Sequence, residues 1–149
     1  MLLAAGCGFQ LRGDLTMPAE MSRTFIATDD RHSLFYRALR QHLMDSGVEL
    51  VEAEAEATAK FSITYDETDQ RVLSVSARNV PTEYEVYYTI QYVIDAGTAS
   101  LIEPQTLTIT RDYTYDSTLV LGKAREEQLL REAIVDDLVR IVLKQIDTL

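Results

Sequence analysis

Cysteine is nearly absent from this sequence: Cys7 is the only one in 149 residues. A lone thiol excludes an internal disulfide and any zinc site built on cysteine pairs. Histidine is almost as scarce. His32 and His42 stand too far apart for a helical H-x-x-x-H pair, and no third His or Cys completes a metal site. The six glycines form no phosphate-cradling loop, and no G-x-S-x-G elbow is present. Asp66-Glu67-Thr68-Asp69 lacks the glycine and terminal glutamate of a calcium loop and reads as a hairpin turn. Basic residues are outnumbered 24 to 14, for a net charge of −10, the wrong sign for a nucleic-acid binder. A small local site for an anion survives that balance, because physiological salt screens charge over about 8 Å. Long apolar runs are missing too. None approaches the roughly 20 residues of a membrane-spanning helix.

What remains is the composition of a folded domain, 46% apolar and 26% charged with both signs mixed. Thr24-Phe25-Ile26-Ala27 reads as a short strand ending at the turn-forming Asp29-Asp30. Ser33 to Ser46 has helical periodicity, with Leu34, Phe35, Ala38, Leu39, His42 and Leu43 on one face and Gly47 as its stop. His42 is therefore expected as a packed histidine, and Asp29-Asp30-Arg31-His32-Ser33 as a helix cap, not a catalytic triad. Strands are expected at 61–65, 73–77, 84–95 and 107–115, with turns at 66–70 and around Ala96-Gly97 and Glu103-Pro104. The tyrosines alternate on these strands. A long helix closes the chain from about Lys123 to Ile146. Leu130, Ala133, Ile134, Leu138 and Ile141 form one stripe, with Val135, Val139, Val142 and Ile146 as a second beside it. The pattern predicts an α+β fold, two helices packed on one face of a mostly antiparallel mixed sheet of about four strands. Catalysis has no visible constellation, so an enzyme is not expected, and no cofactor or metal.

Met-Leu-Leu-Ala-Ala-Gly, residues 1–6, reads as the end of a secretory signal whose basic and apolar upstream part is missing. Ala4-Ala5-Gly6-Cys7 resembles a bacterial lipobox, with the usual leucine displaced to Leu3. Cys7 is then the lipidation site, and multiple acylation is needed, since one chain anchors only marginally. Gly8 after it fits delivery to the outer membrane.

Cys7-Gly8-Phe9-Gln10-Leu11-Arg12 resembles the mature start of the lipopolysaccharide-assembly lipoprotein family LptE, also called RlpB. Three further segments resemble it in order: Ser33 to Leu43 leading into Gly47-Val48-Glu49-Leu50, then Thr82-Glu83-Tyr84, then Arg111 to Asp116 into the basic start of the last helix. Val80 and Pro81 depart from the family pattern, as does the lack of a long polar tail. The resemblance spans nearly the whole chain. It implies a signal remnant at 1–6, a lipidated leader at 7–22 and one domain at 23–149. It also implies a non-enzymatic lipoprotein, anchored through Cys7 on the periplasmic side of the outer membrane. There it would plug the β-barrel LptD, help assemble it, and help deliver lipopolysaccharide to the outer leaflet. The competing reading is a periplasm-facing lipoprotein that only scaffolds or binds another envelope partner.

Two site expectations accompany this resemblance. Arg78 and Lys123 align approximately with basic positions that the family uses in glycolipid contact, and Lys123 lies where helix amides favour an anion. Ordinary solvated charge is the alternative for both. Val135, Val139 and Val142 are expected to reach either the first helix or the barrel partner.

Overall fold

The computed structural model describes residues 16–115 and 120–149, with 120–122 described by backbone alone. In chain order the elements are β1 (Arg23–Ala27), α1 (Leu34–Asp45), β2 (Glu49–Leu50), β3 (Ala59–Val75), β4 (Pro81–Ala96), β5 (Ala99–Thr114) and α2 (Val120–Ile146). One five-stranded sheet has the order β2-β1-β3-β4-β5. β1 runs parallel to both neighbours, whereas β3, β4 and β5 form an antiparallel meander. The expected helices-on-a-sheet architecture is present, with five strands instead of about four and a parallel corner at β1.

α1 begins where Ser33 accepts a hydrogen bond from the Tyr36 amide at 3.0 Å, satisfying a first-turn donor. It ends at Gly47, whose φ of 85° suits a residue without Cβ, and the Val48 amide bonds back to the Leu43 carbonyl at 3.0 Å. Phe35, Leu39 and Leu43 are fully buried, whereas His42 is exposed, correcting the expectation of a packed histidine. Burial follows the i+4 ridge, which drifts about 40° per step, so by the last turn position 42 has rotated off the contact line. The cap expected at 29–33 is present. Ser33 is its capping side chain, and the Asp30 carboxylate accepts from the His32 amide at 2.7 Å.

No turn interrupts β3 at 66–70. The strand pairs with β4 from Lys60↔Asp95 through Val75↔Pro81, with a bulge between Ile63 and Tyr65. That bulge turns Asp66, Thr68 and Gln70 toward the helix side, where each finds a polar partner, so polar character there does not end the strand. The turn falls at 76–80 instead, closed by the Ser76 amide on the Val80 carbonyl (2.8 Å), with Asn79 at φ 61°. β5 likewise starts at Ala99, directly after a turn at Gly97, and runs through Pro104. A proline is tolerated because β5 is an edge strand and the register shifts there, between Tyr92↔Gln105 and Ile94↔Ile102.

The core lies between the inner sheet face and the helices. Val86, Tyr88, Ile90, Tyr92 and Ile94 alternate inward from β4, and Tyr92 stacks on Phe61 at 5.3 Å. α2 supplies Ile134, Val135, Leu138, Val139, Val142, Leu143 and Ile146. Val135, Val139 and Val142 are 3%, 1% and 0% exposed. They belong to this domain's own core, which corrects the partner-interface reading of the three valines. A half-circumference stripe is explained by α2 packing on both the sheet and α1. Ala133 and Ile141, expected in the core stripe, are exposed.

Candidate functional site

The meander extends well beyond α1, and its far end gathers the side chains of interest. At the β3–β4 hairpin, Val72, Leu73, Val75 and Val80 are 44–52% exposed. Isolated exposed apolar residues need no explanation, but four on one hairpin tip are a local concentration of exposed apolar side chains. From Val72 to Ala77 the sequence holds no charge, and Arg71 and Arg78 flank it. Arg71 pairs with Glu85 and lies 5.8 Å from the Tyr87 ring centroid. Arg78 is exposed in the turn itself.

Beside the hairpin, Tyr84 stacks on Tyr113 at 5.7 Å and meets Tyr115 edge-on at 5.3 Å. Lys123, in the first turns of α2, has its Nζ 5.9 Å from the Tyr113 ring centroid and 2.6 Å from Glu126 Oε2. Its side chain is 17% exposed. The structure thus brings both predicted cations to the same end of the molecule, one exposed in a turn and one held by a carboxylate and an aromatic face. Sequence reasoning missed the tyrosine cluster and the apolar tip. The uncharged run between Arg71 and Arg78 was the signal that marked the tip.

Inward of this end, the layer between α2 and the sheet is polar. Arg131 donates to Thr68 Oγ1 at 2.5 Å and to Glu127 Oε1 at 2.7 Å, and Tyr113 donates to Gln70 Oε1 at 2.9 Å. Further along, Asp66 accepts from Ser33 Oγ at 2.5 Å and from the Tyr88 hydroxyl at 2.6 Å. The Tyr88 hydroxyl accepts in turn from the Phe35 amide at 3.3 Å, so one carboxylate ties the start of α1 to two strands. Burial, and then the bond to Asp66, pushes the Tyr88 phenol above its ordinary pKa. Tyr113 is raised as well, first by burial and then by Glu127. These phenols act as neutral donors at neutral pH.

The opposite end is where the described chain enters. The Thr16 amide bonds Asp147 Oδ1 at 2.8 Å, beside the end of α2. Cys7 lies outside the described residues. Among those described, no three His, Cys, Asp or Glu side chains are placed to hold a metal, and no helix is long and apolar enough to cross a membrane.

Two helices on a sheet with one long meander, bearing an apolar, cation-flanked tip, describe a small α+β domain, and solved lipoproteins share this fold. Rare lipoprotein B from Shewanella oneidensis aligns with a TM-score of 0.72 over 85% of this chain and 94% of its own, at 21% identity. Lipoprotein B from Nitrosomonas europaea aligns at 0.76 over 94% and 90%, at 25% identity. The model of the lipopolysaccharide-assembly family LptE matches residues 22–146, and the chain belongs to that family. Among relatives, the LPS-assembly lipoprotein LptE of Yersinia enterocolitica is 26% identical over 98% of this chain and 70% of its own length. Its counterpart from Pectobacterium atrosepticum is 24% identical over 100% and 81%.

Proposed function

We propose that this protein is an outer-membrane lipoprotein of lipopolysaccharide assembly, anchored through Cys7 on the periplasmic side and associated with the β-barrel LptD. It binds lipopolysaccharide at the hairpin end of its sheet. It turns nothing over. The observation that carries the reading is the apolar hairpin tip flanked by cations, on a member of the LptE family. Lipopolysaccharide is an amphiphile with phosphates, so its ligand surface needs both exposed apolar groups and local positive charge. A chain of net charge −10 supplies the second only in places. Arg78 contributes a planar fork that engages phosphate in two bonds, and Lys123 a point charge near the amides of α2. Lys123 exchanges Glu126 for phosphate.

Anchor and partner are tested together in the cell envelope. The wild-type protein is expected to co-purify with LptD from detergent-solubilised membranes, and Cys7→Ala to give a folded protein that leaves the membrane fraction when LptD is absent. Retention of Cys7→Ala on membranes lacking LptD would refute the anchor. A lipidated protein that never co-purifies with LptD would leave the scaffold reading in its place.

A further inference from the structure

Arg78 and Lys123 carry the same charge at the same end of the molecule, but they are not equally available. Arg78 is exposed in the β3–β4 turn. The Lys123 side chain is 17% exposed, and its ammonium donates to Glu126 Oε2 at 2.6 Å, one turn further along α2. On another side the Tyr113 ring lies 5.9 Å from Nζ. That ring is fixed: it stacks on Tyr84, and its hydroxyl donates to Gln70 Oε1 at 2.9 Å. Glu126 is 45% exposed. Of the two groups that hold the ammonium, the carboxylate is the one able to swing into water.

The neighbouring acids of α2 are engaged elsewhere. Glu127 Oε1 accepts from Arg131 Nε at 3.1 Å and from its Nη2 at 2.7 Å, and Arg131 is tied in turn to Thr68 of β3. Glu132 Oε1 accepts from Gln128 at 2.9 Å. Glu126 alone of these three carboxylates is paired with Lys123. While it stays there the pair is locally neutral, and a phosphate approaching Nζ meets a carboxylate at the same atom. Salt screens a partly buried pair less than an exposed one, so this repulsion persists at physiological ionic strength.

We infer that Glu126 is an autoinhibitory residue of the lipopolysaccharide site: its carboxylate occupies Lys123 in the free protein, and a phosphate reaches that lysine only by displacing it. The inference rests on the function proposed above. It gives the two cations different tasks. Arg78 meets phosphate directly, whereas Lys123 contributes only after Glu126 has left, so Glu126 holds affinity below what the two cations would otherwise give.

Lipopolysaccharide binding by Glu126→Gln at physiological salt tests this, with melting temperature measured on the same samples. Gln keeps the size of Glu and removes its charge. The variant is expected to bind at least threefold more tightly than wild type. Glu132→Gln makes the same change in net charge about 14 Å along the helix, beyond the screening length of about 8 Å, and is expected to bind as wild type does. The gain is expected to vanish when Glu126→Gln is combined with Lys123→Met, and when the lipopolysaccharide has been stripped of phosphate by alkaline phosphatase. Wild-type affinity in Glu126→Gln overturns the proposal. An equal gain in Glu132→Gln, in the Lys123→Met background or on the stripped ligand overturns it as well, because the effect is then not exerted through Lys123 and phosphate. Weakened binding by Lys123→Met beside unchanged binding by Glu126→Gln removes the autoinhibition alone. Wild-type binding by Lys123→Met removes Lys123 from the site and the autoinhibition with it.

Discussion

Val139 shows how little of a residue's role is settled by its periodicity. It sits on the second apolar stripe of α2, and a free second stripe is a reasonable partner surface on pattern alone. Its 1% exposure places it in the domain core instead, among residues that face the sheet and α1. Val139→Asp puts a carboxylate where no cation waits, and an uncompensated buried charge costs about 3–5 kcal/mol. That is a large share of the 5–15 kcal/mol that stabilises a typical domain. Denaturant unfolding is expected to show this loss before any effect on binding. A variant with wild-type stability and lost partner association would reverse the assignment. Lys123 is the opposite case, a charged residue half-sequestered by Glu126 and Tyr113. Its type was legible in the sequence, but its restraint was not, because both partners come together only in the folded sheet and helix.

At the scale of elements, α2 divides into two halves with different glue. From Ile134 onward it buries seven apolar residues, whereas from Lys123 to Ala133 none is fully buried: Leu130 packs on the core only in part, and polar contacts to the sheet run through Arg131, Thr68 and the Tyr113 ring. Polar contacts at a solvated edge stabilise less than burial does, at about 0.5–1.5 kcal/mol per hydrogen bond. Amides of Ala124–Arg131 are therefore expected to exchange through local opening, at least tenfold faster than those of Ile134–Ile146, and Arg131→Ala to widen the gap. Equal protection along the helix would show the polar layer to be as strong as the core. Both helices were legible from 3.6-residue periodicity, and β4 from its six alternating apolar positions. β3 was not. Asp66 to Gln70 carries turn chemistry, and only pairing with β4, with polar partners at Ser33, Tyr88, Arg131 and Tyr113 far away in sequence, makes it a strand. Long-range satisfaction of polar groups leaves no local signature.

For the molecule as a whole, the sheet sets a distance. The described chain enters beside the C-terminal end of α2, and the hairpin lies at the other end of β4, 16 residues or about 50 Å away. On the proposed reading, the lipopolysaccharide surface occupies the end of the meander opposite the point where Thr16 meets the end of α2. On that reading an acidic protein engages an anionic lipid through cations placed at one end, Arg78 and Lys123. The most direct test is lipopolysaccharide binding at physiological salt by the wild-type protein and by Arg78→Asp combined with Lys123→Asp, with melting temperature and LptD association measured on the same samples. The account predicts at least tenfold weaker lipopolysaccharide binding in the double variant, with folding and LptD association unchanged. Wild-type binding by the double variant would contradict it.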